Sequence, residues 1–600
     1  MRRPAERFMT RTNFDDALAQ ALSGDAAAVE RPEGAIGGGK SSEILKLVER
    51  ANDIQARKLR KVAPLLKKAV AKLRGGDARA AGKLCVEAMT IDPENAVATH
   101  VAAIAMGELG AMRLAFDLYE RAIHLDPDEP EVYHNLGLAA WALEEFQVAE
   151  QFFRIFAAMS PLTAIAAVNL AGALRDQGRY DDAIEVLRAA IAEVPDDSNL
   201  WNILGTICME RGEDHTALTF YREALRLDPN MARAHHNSAM ALHSLGAFDE
   251  ALEAFDAAIA ATSADKDRIY TRHARSHSLL SAGRISEGWL EHETRLDRRF
   301  KKALLFDMPV KMWAGESFAG KRVLLVGEQG LGDEILFLAA APDLIERIGP
   351  DGSLTIVVER RFVELIKRSF PMADVHRHLT VARNGQTIRG APTIKDYAAY
   401  DFLVPMASAL KVLRPDIESF AHQQVGFIKP DPARVADFKA RLEAAGPGPK
   451  AGILWRSILM TPKRKRFYAP LDSWRPAFAA FPGMLVPMQY GDCAAEIEQM
   501  RAWNLPLLTF DDLDMKDDLD GVAALSAALD LVIGPPNATT NIAAGVGAPV
   551  ALLGEVGSWT RLGDPDKLPW YPRSKFFPAH PLEGWAPALE SLRAYLADFS

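Results

Sequence analysis

Asp333 ends the stretch Gly-Glu-Gln-Gly-Leu-Gly-Asp, which follows directly on the apolar run Leu324–Val326. A carboxylate at a helix start can cap it. In a cleft it can also take the proton of an attacking hydroxyl. The glycines Gly327, Gly330 and Gly332 are spaced GxxGxG, whereas a dinucleotide fingerprint needs GxGxxG, so that chemistry is excluded. A second group follows the apolar run Ala451–Trp455. Arg456 stands at its end, and Lys463, Arg464, Lys465 and Arg466 form the densest basic run of this half. Such a run after a strand suits a diphosphate or carboxylate clamp, or is simply a solvated loop. Gln489 and Tyr490 follow Met484–Pro487, where they can pair with a base or a ribose. Asn537, Thr539, Thr540 and Asn541 open a helix after Leu531–Ile533, where backbone N–H groups make an anion site or an ordinary cap. No metal site is expected. The two DxD triplets of residues 511–520 precede a helix, where acids favour its N-terminus, and His376 and His378 have no third ligand nearby.

These residues need a frame that brings strand ends together. From about residue 320, short apolar runs alternate with helical stretches. The expected strands are Val323–Val326, Leu354–Val358, Phe402–Val404, Ala451–Trp455, Met484–Pro487, Leu507–Thr509, Leu531–Ile533 and Val550–Leu553. Between them, Asp333–Glu346, Arg361–Arg368, Ala433–Ala444 and Leu519–Ala528 read as helices. Alternation of this kind predicts parallel sheets with covering helices. The stretch "AAGPGPKAG" divides the set into two Rossmann-like lobes. Ligands of such sheets lie beyond the carboxyl ends of the strands, where the residues named above fall.

The first half has another architecture. Pro93, Pro127, Pro161, Pro195 and Pro229 recur at steps of 34 residues, the period of the tetratricopeptide repeat. An alanine stands twelve residues before each: Ala81, Ala115, Ala149, Ala183 and Ala217. Small residues there let paired helices approach closely. Tyr119, Phe153, Leu187 and Tyr221 repeat a bulky position. A sixth unit covers about 232–265, and "GRISEGWLEHETRL" (283–296) closes a further pair. The expectation is an all-α superhelix holding a protein or peptide. Asn135, Asn169, Asn202 and Asn237 fall on first helices at near-repeat spacing, as backbone-binding groove residues or as solvated asparagines. Residues 1–40 read as a flexible arm, whose "GGGKSS" is out of frame for a phosphate loop. Residues 42–74 read as helical.

Composition bounds the class. Net charge is −10, against a nucleic-acid partner that needs overall positive charge. Cys85, Cys208 and Cys493 are far apart, so neither a disulfide framework nor a thiolate zinc site is expected. With no apolar signal segment and no run long enough to span a bilayer, a cytoplasmic chain without membrane insertion is expected.

The ordered set of repeats, "EGWLEHETRL", "MWAGESFAGKRVLLVGEQGLGDEILFL", "GILWRS", "LDLVIGPPNATTNIAAGVGAPVALL" and "LPWYPRSKFF" resembles bacterial tetratricopeptide-repeat glycosyltransferases with a two-lobed GT-B domain. The resemblance covers roughly residues 60–580 and is nearest to the soluble flagellin O-glycosyltransferases. It implies a flexible arm (1–40), a helical segment and repeat array (41–300), an acceptor-side lobe (301–445) and a donor-side lobe with a closing helix (446–600). It implies metal-independent transfer of a nonulosonic acid, pseudaminic or legionaminic, from its CMP donor to Ser/Thr of flagellin held by the array. No cofactor is implied, the sugar nucleotide being a substrate. Asp333 is then the base, and Glu328, Gln329, Gly330 and Gly332 frame the acceptor. Arg456, Lys463, Arg464, Gln489, Tyr490, Asn537, Thr539, Thr540 and Asn541 face the donor. The chain departs from its relatives in "GPPNATTNIAAGVG", where they carry an aspartate and a histidine. That change either accommodates a donor carboxylate or marks lost catalysis. The alternatives are a flagellin adaptor or chaperone with a degenerate transferase domain, or a UDP-sugar transferase acting on another protein.

Overall fold

The computed structural model describes residues 56–160, 163–300, 302–383 and 386–599. The expected arm, "GGGKSS" and the start of the 42–74 helix lie outside the described residues. Among the described residues, thirteen helices run in succession from α1 (Ala56–Arg74) to α13 (Asp265–Ser281). Ala81, Ala115, Ala149, Ala183, Ala217 and Ala251 are all fully buried, because each lies where two helices cross closest. Tyr119, Phe153, Leu187, Tyr221 and Phe255 fill the space beside them.

The turns inside the repeats share one backbone device. Gly76, Gly110, Gly178, Gly212 and Gly246 have φ between 76° and 86°, and Glu144 occupies the same slot with φ 62°. A left-handed conformation costs a side chain roughly 1–2 kcal/mol. Glu144→Gly is therefore expected to stabilise the array by about 1 kcal/mol, seen as a raised denaturation midpoint. An unchanged or lowered midpoint would show that the glutamate side chain repays its strain.

Two compact units divide the chain, and the boundary falls inside α10 (Asp214–Leu227). The first unit holds the array up to α9 (Ser198–Arg211). The second holds the last repeats, from α11 (Ala232–Ser244) through α14 (Ile285–His292), and the α/β region.

The α/β region contains two parallel sheets. The first has four strands: β2 (Arg322–Val326), β3 (Ser353–Val358), β4 (Asp374–Arg377) and β7 (Phe402–Pro405), in the order β4-β3-β2-β7. The second has five: β8 (Lys450–Ile453), β9 (Met484–Pro487), β10 (Leu531–Gly534), β11 (Val550–Gly554) and β12 (Ser574–Pro578), in the order β12-β11-β10-β8-β9. Their central strands are buried along almost their whole length, which is why they read as unbroken apolar runs. A small third sheet joins β1 (Leu304–Phe306), β6 (Gln386–Gly390) and β5 (Leu379–Arg383). It was not expected, because β5 is exposed throughout and β6 is mostly polar. Two expectations are corrected. Leu507–Thr509 forms one bridge, Leu507 to Leu485, and no strand. The single helix Asp333–Glu346 is two, α15 (Leu331–Leu338) and α16 (Ala341–Ile348), with Pro342 in the first turn of the second.

Candidate active site

In the first sheet the strand order reverses between β2 and β7, so a crevice opens beyond their carboxyl ends. The loop after β2 lies there and is fixed by buried charge. Glu328 is 1% exposed and accepts two bonds from Arg295, at 2.7 and 2.8 Å. It also accepts from the Ala407 N–H, 2.7 Å away, at the start of α18 (Met406–Leu413) after β7. One carboxylate thus ties the loop to the end of the repeat array and to the neighbouring strand. Gln329 has φ 58° and sets its amide 3.3 Å from His292 Nε2. Buried Glu334 accepts from the Glu359 N–H and lies 2.8 Å from His378 Nε2. Gly327 allows this approach, since a Cβ there would stand 2.6 Å from a Glu334 oxygen.

Asp333 is the third residue of α15, and its Oδ2 accepts from the Gly330 N–H at 3.0 Å, closing a capping box. Its pKa is pushed up to about 6. Burial is the main cause, and the charges of Glu328 and Glu334 add to it against the lowering effect of the Gly330 N–H. A carboxylate that caps a helix and titrates near neutrality combines structure with the capacity for proton transfer.

In the second sheet the reversal falls between β8 and β10. After β10 comes α24 (Ala538–Gly545), capped by Asn537. The Asn537 Oδ1 accepts from the Thr540 N–H at 3.1 Å, and the Thr540 hydroxyl accepts from the Asn537 N–H at 2.9 Å. Thr539 and Thr540 are buried. Asn541 Nδ2 donates to the Gly332 carbonyl at 2.9 Å, so the first turns of α15 and α24 meet. Gly332 permits the contact, because a Cβ would lie 3.2 Å from Asn541 Nδ2 and 3.3 Å from the Ala538 nitrogen. Two helix N-termini, each at the reversal point of its own sheet, therefore converge on one place, and both favour negative charge there.

Two orphaned polar atoms mark the same place. Asn537 Nδ2 and the Tyr571 hydroxyl are buried without a protein hydrogen-bond partner. Burial and the nearby charge of Asp333 hold the Tyr571 hydroxyl well above its ordinary range, which keeps it a donor. Such atoms cost free energy unless a ligand or water satisfies them.

The other expected donor residues divide. Arg456 is gripped by both oxygens of Glu496 at 2.6 Å. Gln489 is buried, accepts from the Trp455 and Arg456 N–H groups and donates to the Arg456 carbonyl. Both therefore shape the end of β8. Tyr490 is half-buried and Arg464 exposed, while the side chain of Lys463 lies outside the described residues. Arg466 pairs with Asp214 at 2.8 Å. Near them Glu555, directly after β11, is pushed up to about 7 by burial and by Asp214, against Arg466. Four of the six acids of 511–520 are taken up by arginines: Asp512 with Arg441, Asp518 with Arg434, Asp520 with Arg368 and Asp517 with Arg361.

In the array, Asn135 Nδ2 lies 3.1 Å from His100 Nε2, and Asn169 Nδ2 lies 2.8 Å from His134 Nε2. Asn169 and Asn202 are buried. Asn135 and Asn169 are rungs between successive repeats, and Asn135 and Asn237 keep partial exposure.

Two sets of residues were missed from sequence. Tyr571 stands in "WYPRSKFF" just before β12 and was legible only as part of that segment. His273 and His277, in "RHARSHS", have the i,i+4 spacing of paired ligands on one helix face, but their partner His292 is fifteen residues farther on.

The tetratricopeptide-repeat family model matches residues 101–162, 134–198, 168–232 and 209–266. A tetratricopeptide repeat protein from Parabacteroides merdae is similar at 16% identity with a TM-score of 0.33, covering 43% of this chain and 97% of that one. Protein O-mannosyl-transferase Tmtc3 of Drosophila melanogaster is 30% identical over 128 residues, 21% of this chain and 14% of its own. Protein FlbA of Caulobacter vibrioides is 37% identical over 567 residues, 94% of either chain. With two parallel sheets behind its repeats and that likeness along nearly its whole length, the chain belongs to the FlbA family.

Proposed function

We propose that the chain is a GT-B glycosyltransferase acting on protein hydroxyls, with flagellin as acceptor and a CMP-linked nonulosonic acid as donor. The meeting of α15 and α24 at Asp333 carries this reading. A Ser or Thr hydroxyl attacks the anomeric carbon of the sugar. Asp333 takes the hydroxyl proton, the new C–O bond forms, and the bond from sugar to phosphate breaks. The departing CMP phosphate takes the negative charge. The α24 N–H groups, Asn537 Nδ2 and the Tyr571 hydroxyl stabilise that charge without a metal. Arg464 and Tyr490 line the donor side, and the repeats hold the acceptor. The site works in the cytoplasm, where nucleotide sugars are made. Among the described residues no helix is long and apolar enough to cross a membrane.

Incubation of the chain with flagellin and CMP-pseudaminic or CMP-legionaminic acid is expected to add whole sugar masses to flagellin Ser/Thr residues. A UDP-hexose is expected to add none. Mass addition only from a UDP-sugar would move the donor class. No addition from any sugar nucleotide would remove the enzyme.

One observation favours a second reading, an adaptor that binds flagellin without catalysis. Arg456 and Glu328 are both spent on internal ion pairs. That reading predicts flagellin binding but no protection of the α/β region against heat by CMP or a CMP-sugar.

A further inference from the structure

Helix α13 carries His273 and His277 one turn apart on one face, and the end of α14 sets His292 against them. One ring nitrogen from each of the three lies within 4.8 Å of the others. The ring centroids are 4.9, 5.4 and 5.7 Å apart. His292 is buried and the other two are half-buried. His273 Nδ1 is buried and has no hydrogen-bond partner. Ordinary core histidines give each buried nitrogen a donor or acceptor. His273 Nδ1 has neither, although one nitrogen of each ring faces the same point, and neutral rings presenting lone pairs to a common point repel unless a proton or a cation stands between them.

We propose that His273, His277 and His292 form a binding site for a divalent transition-metal cation of the zinc class. Zinc–imidazole bonds of about 2.0–2.1 Å put ligand nitrogens about 3.3 Å apart in a tetrahedral site. Small rotations of the side chains close the widest present separation. Imidazole ligands select zinc, copper, nickel or iron over magnesium and calcium. Arg295 and Lys302 are the fixed positive charges acting on the cluster, and the pairs of Arg295 with Glu328 and Glu293 offset it. Ser276 Oγ lies 3.5 Å from His292 Nδ1 and acts as an orienting neighbour. The fourth position is open to water or to the Gln329 amide, which already lies 3.3 Å from His292 Nε2. Such a centre fastens the last repeat to the loop that leads to Asp333. It positions the loop and takes no part in moving the proton or the sugar, so it stands whether or not the chain transfers a sugar.

The test uses the full untagged chain, stripped with a chelator and titrated with Co2+. Binding of about one equivalent is expected, with visible ligand-field bands of low-symmetry cobalt that one equivalent of Zn2+ displaces. Zn2+ is also expected to raise the melting temperature. His273→Gln and His277→Ala are each expected to weaken Co2+ binding by about 100-fold or more, since changes in orienting neighbours alone cost 10–100-fold. His376→Ala, outside the cluster, is expected to leave it unchanged. Substoichiometric binding by the wild-type chain overturns the proposal, whatever the variants do. So does stoichiometric binding that survives both His273→Gln and His277→Ala.

Discussion

Asp333→Asn is expected to lower sugar transfer by about 10²–10⁴-fold while leaving α15 folded. Asparagine has the same shape and still accepts from the Gly330 N–H, so the cap survives and only the basic group is lost. The wild-type kcat/KM is expected to rise with pH through about 6, as Asp333 loses its proton, and the variant to lack that limb. Stability moves the other way. The folded pKa of about 6 lies above the unfolded value of about 3.9. The native state therefore holds the proton longer, and stability is lost as pH rises from about 4 through about 6. Allowing for partial exposure, Asp333→Asn should be more stable than the wild type at pH 8 by of order 1 kcal/mol. Full transfer activity in the variant would reduce Asp333 to a cap. Lost activity together with lost stability would show that the carboxylate holds the loop instead of moving a proton.

Arg295→Ala is expected to cost about 3–5 kcal/mol, because it strands the Glu328 carboxylate in the interior. Arg295 is itself 5% exposed and bonds to Glu328, Glu293, Ser408 and the His292 carbonyl. Glu328→Leu should cost less, because Glu293 still pairs with the Arg295 guanidinium at 2.6 Å. The double variant Arg295→Met with Glu328→Leu removes both charges and should recover most of the stability, as paired replacement of buried ions often does. It should not recover activity, since the bond from Ala407 N–H to Glu328 that places the loop beside β7 is gone. Denaturation midpoints and transfer rates for the four proteins separate the two effects. A cost below about 1 kcal/mol for Arg295→Ala would mean that the pair is solvated and does not fix the loop.

The repeat array was legible because its physics is local and repeated. Pro127 ends a helix and Ala115 permits a close crossing using neighbours within one 34-residue unit, so the pattern shows along the chain. The buried strands β2, β9, β10 and β11 were legible for a related reason: burial on both faces demands an unbroken apolar run. β4 and β5 were not, since their edge or exposed positions impose no such run. Asp333 and Asn537 could be singled out because strand ends in parallel sheets collect ligands. Which candidates touch a ligand was hidden. Arg456 and Glu328 look like free charges in sequence, and their partners Glu496 and Arg295 lie 40 and 33 residues away.

The sequence by itself determined the repeat, the parallel strands and the loops that can carry chemistry, because each follows from periodicity within a few turns of chain. Only the tertiary structure decided that Gly332 meets Asn541, 209 residues later, that Tyr571 lies within electrostatic reach of Asp333, and that three histidines from two helices face one point. Those facts rest on desolvation and on contacts between distant segments, and a charge or a lone pair has no fixed cost until the fold has chosen what surrounds it.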